Sequence, residues 1–311
     1  MRIAVTGTRG QVALALMERA RTLPEVEVVA LGRPDLDLAR PETIWPALAS
    51  SRPDLVVSAA AYTAVDRAED EPELAHSING TGAGAVATAA ARLGAPVIHL
   101  STDYVFDGKS QGAYQETDAP APLNVYGLSK RAGEMAVAAA TTRHLILRTS
   151  WVYSPFGTNF AKTMLRLARE RTEIAVVSDQ RGHPSSALDL ADGILRAALA
   201  LDDGVAYGIY HLAGTGTASW ADFARQVFSA SRALGGPWAE VRDIAAADYA
   251  APAPRPSNTQ LCCAKFGSAF GWTMPHWRQS VDAVVSRILG EAGGGHRPAG
   301  DIVDGQVPVG S

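Results

Sequence analysis

The sequence predicts an α/β protein, built as a doubly wound parallel sheet with a smaller C-terminal lobe. Three observations carry that reading. A short apolar run at residues 3–5 leads straight into a glycine turn, Gly7 to Gly10, and then into a helical stretch. Apolar strand-length segments at 26–31, 54–62, 96–101 and 144–152 alternate with helical stretches through the first half of the chain. Strands separated by helices run parallel and are covered on both faces. After Tyr153 the alternation loosens, which sets a boundary near residue 150.

Composition narrows the class. At 311 residues the chain has the length of one large domain or two modest ones. Hydrophobic residues at 47% and charged residues at 19% are those of a globular protein rather than a disordered one. A net charge of −4 and a pI near 6.0 give no broad basic surface, so no nucleic-acid partner is expected. No window approaches the ~20 apolar residues of a membrane span. Residues 1–20 carry no signal-peptide pattern, and the cysteines, Cys262 and Cys263, are adjacent. Both features fit a reducing, cytoplasmic setting better than a disulfide framework. His183 and His211 have no His or Cys at ligand spacing, so no metal centre is expected.

The elements follow in order. Residues 1–7 form the first strand, and 6–13 a tight turn opening a helix whose Val12, Leu16 and Ala20 share one face. The glycine spacing is Gly7-x-x-Gly10-x-x-Ala13. Gly7 suits the sharp exit from the strand, and Ala13 keeps the helix close to it. Gly10 leaves room for a pyrophosphate at the helix N-terminus, where unpaired N–H groups favour anions. The pattern is Rossmann-like, although a plain strand–helix turn with no ligand carries the same signature. The second strand ends at Gly32-Arg33. An acid at that strand end selects NAD. Here Arg33, with Arg9 in the preceding loop, suits a ribose 2′-phosphate, so NADPH is preferred over NADH; two solvated arginines are the alternative. Asp37 and Leu38 lie just beyond, where they flank an adenine.

Residues 41–50 and 76–93 read as helices, with the charged 66–73 region at the surface. The strand at 54–62 runs into small residues, against which a cofactor can lie. The strand at 96–101 delivers Thr102 at its C-terminal end, where ligands gather in open α/β sheets. A polar loop fills 107–122, a helix 123–140, and the strand at 144–152 carries Trp151 near its end. Further on come a helix at 159–170, a strand at 174–177, a polar turn at 179–185 and a helix at 187–201. A strand at 208–214 is placed to rejoin the main sheet. A helix at 220–233 has Ser219 as its N-cap, residues 236–260 are Pro/Ala-rich, and a last helix covers 277–289. Residues 291–311 read as a flexible tail.

The chemistry concentrates in Ser101-Thr102-Asp103-Tyr104-Val105-Phe106 and Tyr126-Gly-Leu-Ser-Lys130. Tyr126 and Lys130, four apart, share one helix face. An ammonium there stabilises a phenolate, bringing a phenol that ordinarily titrates near ~10 within reach of proton transfer at neutral pH. Alone, such a pair is a common accident of a solvated helix; Thr102 and the glycine turn give it weight. Asp103 either caps the turn that follows it or hydrogen-bonds a sugar hydroxyl. Trp151 either fills core or walls a ring. Arg255, within Pro252-Ala-Pro-Arg255-Pro256, suits a diphosphate, which a guanidinium binds bidentately.

Taken together, these motifs resemble the extended short-chain dehydrogenase/reductases. Further stretches are similar to one family among them, the dTDP-4-dehydrorhamnose reductases, over residues 1–290. They are Ala59-Ala-Ala-Tyr-Thr-Ala-Val-Asp66-Arg-Ala-Glu69, Pro122-Leu-Asn-Val-Tyr126-Gly, Arg148-Thr-Ser-Trp151-Val-Tyr153, residues 159–168, Asp179-Gln180-x-Gly182-x-Pro184 and Gly208-x-Tyr-His-Leu212. The resemblance implies NAD(P)H-dependent reduction of the C4 ketone of dTDP-4-dehydro-β-L-rhamnose to dTDP-β-L-rhamnose, the last step in making that sugar nucleotide. It implies Tyr126 as proton donor and Lys130 as the group that stabilises the tyrosinate and binds the nicotinamide ribose. Thr102 is implied to hydrogen-bond the ketone oxygen. Gly10-Gln11-Val12, Asp37-Leu38 and Ala61-Tyr62-Thr63, with Tyr126 and Lys130, are implied to contact the cofactor; Thr102, Asp103 and Trp151 are implied to contact the sugar nucleotide.

Departures from the family pattern carry their own expectations. Ser58 stands where relatives usually have Asn, and Cys262-Cys263 where a more polar pair is usual. Ala15 and Leu188 occupy the positions from which Glu side chains bridge some relatives through magnesium. No metal-linked dimer is therefore expected, and a homodimer of another kind stays open. Three rivals remain: a reductase of another dTDP-4-keto-deoxysugar, a non-catalytic NADP-binding regulatory subunit, and an epimerase with tightly held NAD. The complete Thr102, Tyr126 and Lys130 set argues against the regulatory role. The expected division gives residues 1–150 and the returning strand at 205–214 to an NAD(P)-binding domain, and 151–204 and 215–290 mainly to a substrate-binding lobe.

Overall fold

Strand residues that alternate between two hydrophobic layers make the frame. The computed structural model of the chain describes residues 1–201, 204 and 206–293. The first half supplies β1 (Arg2–Thr6), α1 (Gln11–Ala20), β2 (Glu27–Leu31), α2 (Ile44–Ser51), β3 (Leu55–Ser58), α3 (Val65–Asp70) and α4 (Pro72–His76). It continues with α5 (Ala83–Arg92), β4 (Val97–Thr102), α6 (Val125–Ala140) and β5 (His144–Thr149). The second half holds β6 (Val152–Tyr153), α7 (Phe160–Leu167), β7 (Glu173–Val177), β8 (Arg181–Gly182), β9 (Ser185–Ser186) and α8 (Ala187–Ala200). It ends with β10 (Gly208–His211), β11 (Ala218–Ser219), α9 (Trp220–Ala233), β12 (Glu240–Ile244), α10 (Ala264–Phe270) and α11 (Trp277–Gly293).

The main sheet is six-stranded and parallel, in the order β10-β5-β4-β3-β1-β2. Ile3, Val5, Leu55, Val57, Ile98, Leu100, Leu145 and Leu147 face one layer, with α1 and α8. Ala4, Val56, Val97 and Ile146 face the other, against α2, α5 and α6. This period-two alternation is what lets one sheet be buried on both sides. The strand order turns at β1: α1 leads to β2 on one side, and β3 lies on the other. Such a switch point opens a crevice at the strands' C-terminal ends. There Gly7 leaves β1 at φ +97 and donates its N–H to the Leu31 oxygen at 2.6 Å. Thr6 Oγ1 accepts the N–H groups of Ala59 and Ala60, both at 3.0 Å, tying the two strand ends together.

The predicted returning strand is present: β10 pairs in parallel with β5, from Gly208 against Leu145 to His211 against Arg148. Helix α8 packs on α1 and so belongs to the layer covering the sheet. The C-terminal lobe is built on the β7–β12 pair, with α7, α9 and α11 gathered around Trp220, Phe223 and Trp277. A capping box starts α9, as Ser219 Oγ accepts the Asp222 N–H and the Asp222 carboxylate accepts the Ser219 N–H.

Several elements differ from their sequence reading. The Pro/Ala-rich 236–260 region contains β12, a strand whose mostly exposed side chains give no apolar alternation. The polar turn at 179–185 carries the two-residue strands β8 and β9, which pair with β11 and β6. The helix expected from residue 76 begins at Pro72 and passes through a π-turn, Ser77–Gly82, into α5. The strand at 144–152 breaks after Thr149, because Trp151 takes φ +46. The last helix runs through Gly293, and the rest of the expected tail, 294–311, lies outside the described residues. Among the described residues, no helix is long and apolar enough to cross a membrane.

Candidate active site

Thr102 ends β4, and Tyr126 and Lys130 lie on one face of the opening turns of α6. Three contacts seat that helix. Asn124 caps it, its Oδ1 accepting the Gly127 N–H at 2.7 Å, while its amide donates to the Pro254 oxygen of the C-terminal lobe at 2.9 Å. Glu69 Oε1 accepts the Val125 N–H at 2.9 Å. Gly127 is required because a Cβ there would run into the Tyr104 carbonyl. The turn after β4 and the start of α6 therefore meet closely, which brings the Thr102 hydroxyl near enough to the Tyr126 phenol to lower its proton affinity. The Tyr126 ring meets Tyr104 edge-on, centroids 5.9 Å apart.

Electrostatics separate the two titrating groups from their ordinary values. Burial pushes the Tyr126 phenol up to about 12, against the Thr102 hydroxyl, which lowers it. Lys130 is 3% exposed and donates to the Leu100 oxygen at 2.6 Å. Burial pulls its ammonium down to about 8, while Glu134 one turn further on pushes it back up. Beneath the site, Glu134 and Arg148 form a buried bidentate pair with both contacts at 2.8 Å. Ser101 donates to Glu134 at 2.7 Å and Arg131 at 2.8 Å. Burial opposes the Glu134 charge, yet Arg148 and its other donors hold the carboxyl below its usual value. Glu134 and Arg148 lie 14 residues apart on different elements, so no local pattern in the sequence joins them, whereas Lys130 and Glu134 stand at the helical four-residue spacing.

Asp103 is 3% exposed, and its carboxylate faces hydroxyls from three segments. Thr102 donates to Oδ1 at 3.0 Å, Ser150 to Oδ2 at 2.9 Å, and Thr259 faces it from the C-terminal loop. Burial pushes this carboxyl up to about 6, against those hydrogen bonds. The turn cap is instead Thr102, whose Oγ1 accepts the Tyr104 N–H at 3.2 Å. Trp151 stacks on Trp220 with centroids 3.6 Å apart and is 9% exposed, so most of its ring is core. The Arg255 guanidinium pairs with Asp66 at 2.8 Å and lines a cavity of about 270 Å³ with Gln180, Tyr249 and Ala253. The 66–73 region is therefore not simply surface: Asp66 reaches the C-terminal loop, also accepting the Ala253 N–H.

The residues expected to face a dinucleotide lie around the ends of β1, β2 and β3. At the N-terminus of α1, Gly10 makes no side-chain cap, and the space its Cβ would enter is open. The orphaned N–H groups there can face an anion. Arg9 and Arg33 are exposed on the loops that leave β1 and β2, which are held side by side. Gln11 turns its side chain away, Oε1 accepting from Ser154 at 2.7 Å and Asn159 at 2.9 Å, which leaves its backbone for a ligand. Val12 sits half-buried beside it in the helix. Asp37 pairs with Arg40 at 3.5 Å, and Leu38 is buried under the π-turn. Ala61-Tyr62-Thr63 follow β3, with the Tyr62 N–H held by Asn79 Oδ1 at 2.8 Å. Among the described residues no group of three or more His, Cys, Asp or Glu side chains could hold a metal ion.

A parallel doubly wound sheet, a glycine turn at its switch point, and a Thr–Tyr–Lys constellation at the end of β4 define an extended short-chain dehydrogenase/reductase. Comparison with known proteins narrows this. Residues 1–289 match the family described as "RmlD substrate binding domain", and the chain belongs to that family. It is 50% identical over 292 residues to a dTDP-4-dehydrorhamnose reductase of Sinorhizobium fredii, covering 93% of this chain and 98% of that protein. A crystal structure of a dTDP-4-dehydrorhamnose reductase from Clostridium acetobutylicum superposes with a TM-score of 0.86 at 32% identity, covering 93% of this chain and 100% of that one. The Bacillus anthracis enzyme of the same name, in complex with NADP, gives 0.85 at 35% identity, covering 92% and 99%.

Proposed function

We propose that this chain reduces the C4 ketone of dTDP-4-dehydro-β-L-rhamnose to give dTDP-β-L-rhamnose, using NADPH in preference to NADH. The observation that carries this is the convergence of Thr102, Tyr126 and Lys130 at the strand ends, in a chain half identical to a reductase of that name over nearly its whole length. A reduced nicotinamide, once bound, would supply the hydride for C4. Tyr126 gives its proton to the oxygen as it becomes an alkoxide. A phenol near 12 keeps that proton at neutral pH, as an acid in the reducing direction must. Lys130, cationic below about 8, stabilises the tyrosinate. Its ammonium has three N–H donors; one serves Leu100, leaving two for the phenolate and a ribose hydroxyl. Thr102 lies beside Tyr126, in reach of the same ketone oxygen.

The remaining assignments follow the same reading. Gly7, Gly10 and the backbone of Gln11 and Val12 take the pyrophosphate, and Arg33 takes the 2′-phosphate. Asp37 and Leu38 flank the adenine, and Ala61, Tyr62 and Thr63 lie along the nicotinamide half. The C-terminal lobe receives the sugar nucleotide, with Arg255 exchanging Asp66 for the diphosphate and Trp151 beside the sugar. Ala15 and Leu188 are apolar and buried where a magnesium bridge would need carboxylates, which supports assembly without a metal link. The chemistry and the reduced cofactor fit a cytoplasmic enzyme.

The test is NADPH consumption with the keto-sugar generated enzymatically in the same tube, and identification of the product by NMR. Formation of dTDP-β-L-rhamnose supports the reading. No consumption with this sugar, but consumption with another dTDP-4-keto-deoxysugar, would transfer the assignment to that substrate.

A further inference from the structure

We infer that Gln11 is a positioning residue that makes cofactor binding and sugar-nucleotide binding interdependent: its backbone opens the helix expected to face the pyrophosphate, and its side chain fastens the segment that runs from Trp151 into the C-terminal lobe. The inference rests on the reductase reading and goes beyond it, giving the Gln11 side chain a role separate from its backbone's contact with the cofactor.

The carboxamide is matched atom by atom to its partners. Oε1 accepts from the Ser154 hydroxyl at 2.7 Å and from Asn159 Nδ2 at 2.9 Å, and Nε2 donates to the Val152 oxygen at 3.4 Å. Both donors fall on the oxygen and the carbonyl on the nitrogen, so the partners fix which way the amide points. Ser154 has a second acceptor in reach, the Phe156 oxygen at 3.0 Å. Asn159 has two amide hydrogens, and its two shortest contacts are the Ser154 oxygen at 2.8 Å and Gln11, which makes it the firmer tie. Ser154 is fully buried and Asn159 is 2% exposed, so neither has water to turn to if Gln11 is removed.

The tie spans parts of the fold that the sheet keeps apart. Strand β5, which leads into Trp151, is separated from β1, which leads into α1, by β4 and β3. Among the described residues, the hydrogen bonds joining residues 152–159 to α1 are these three, all made by Gln11. The segment enters the lobe at once. Trp151 stacks on Trp220, Val152 and Tyr153 pair with Ser185 and Ser186, and Asn159 caps α7 through the Lys162 N–H at 3.1 Å. At its other end Gln11 is the first residue of α1, whose opening N–H groups have no intrahelical partner. A pyrophosphate drawn to those groups holds the first turn of α1, and the Gln11 side chain passes that restraint to the segment beside Trp151. Reciprocity then requires a sugar nucleotide that settles the lobe to tighten the cofactor by the same factor.

The experiment is calorimetric titration of dTDP into the full chain, without and with saturating NADPH, for the wild type, Gln11→Met and Ser154→Ala. The wild type should bind dTDP about five- to tenfold more tightly with NADPH present, and Gln11→Met should show less than about a twofold difference. Ser154→Ala, which cuts one tie from the lobe side, should fall between them. Because the ratio is read at saturating NADPH, a change in cofactor affinity itself does not enter it. Equal dTDP affinity with and without NADPH in the wild type would overturn the proposal, as would a Gln11→Met ratio matching the wild type. Hydrogen exchange with NADPH alone needs no sugar nucleotide, and so separates this inference from the substrate assignment. NADPH should slow exchange of the Phe156 and Lys162 amides, which Ser154 and Asn159 hold, in the wild type and leave it unchanged in Gln11→Met. Exchange there that ignores NADPH in the wild type, or slows equally in Gln11→Met, refutes the proposal whatever the substrate. The expected exchange pattern without any dTDP binding would support the tie and count against the dTDP-sugar reading alone.

Discussion

Lys130 donates its ammonium to the carbonyl oxygen of Leu100 at 2.6 Å, one residue before Ser101 and two before Thr102. The cation proposed to serve Tyr126 is thus fastened to the strand that carries Thr102. The same burial that fixes it lowers its proton affinity from an ordinary 10.5 to about 8.

The proposed reaction uses Lys130 as a cation, so kcat/KM should fall as pH rises through about 8. Lys130→Arg keeps its charge at any pH of interest, and its residual activity should show no such limb. A wild-type profile flat to pH 10 would contradict the assignment.

Stability has the opposite sign. Between about 8 and 10.5 the unfolded chain holds a proton at Lys130 that the native chain has lost, so stability rises with pH across that window and is lowest below it. At pH 7, Lys130→Met should therefore stabilise the cofactor-free fold by up to about 3 kcal/mol while cutting turnover at least ~100-fold. Thermal unfolding of both proteins checks this; a lowered Tm would contradict it.

Glu134 and Arg148 behave differently because they neutralise each other in the interior. Arg148→Met leaves the buried Glu134 carboxylate with Arg131 as its remaining ion partner and should cost up to about 3–5 kcal/mol in urea unfolding at pH 7, with Glu134→Gln in the same chain recovering part of it. The Glu134 carboxyl is held low, so the pair's contribution is complete above the unfolded value of ~4.3 and is lost as pH falls through the native one.

For the cofactor, Arg33→Ala should raise the KM for NADPH about tenfold and that for NADH less than about twofold, since only one carries the 2′-phosphate. Equal effects on both would remove Arg33 from the site.

Much of this was legible in local sequence and some of it was not. The first strand, glycine turn and helix were readable because Ile3, Gly7, Gly10 and Leu16 each do what their spacing requires. The returning strand was readable as a short apolar run, Gly208 to His211. Strand β12 was hidden because Glu240, Arg242 and Asp243 are exposed along it and its stability comes from pairing with β7. Asp66 and Arg255 stand 189 residues apart, so no local pattern could join them. The hydroxyls around Asp103 come from residues 102, 150 and 259, and only the folded chain brings them together.

In the proposed reaction Tyr126 delivers the proton that completes ketone reduction. The direct measurement is NADPH consumption on dTDP-4-dehydro-β-L-rhamnose by the wild type and by Tyr126→Phe, with cofactor binding to each protein measured alongside. Turnover is expected in the wild type, with a loss of about 10²–10⁴-fold in Tyr126→Phe while NADPH still binds. A Tyr126→Phe enzyme that turns over within a few-fold of the wild type would contradict it, because the proton would then come from another group.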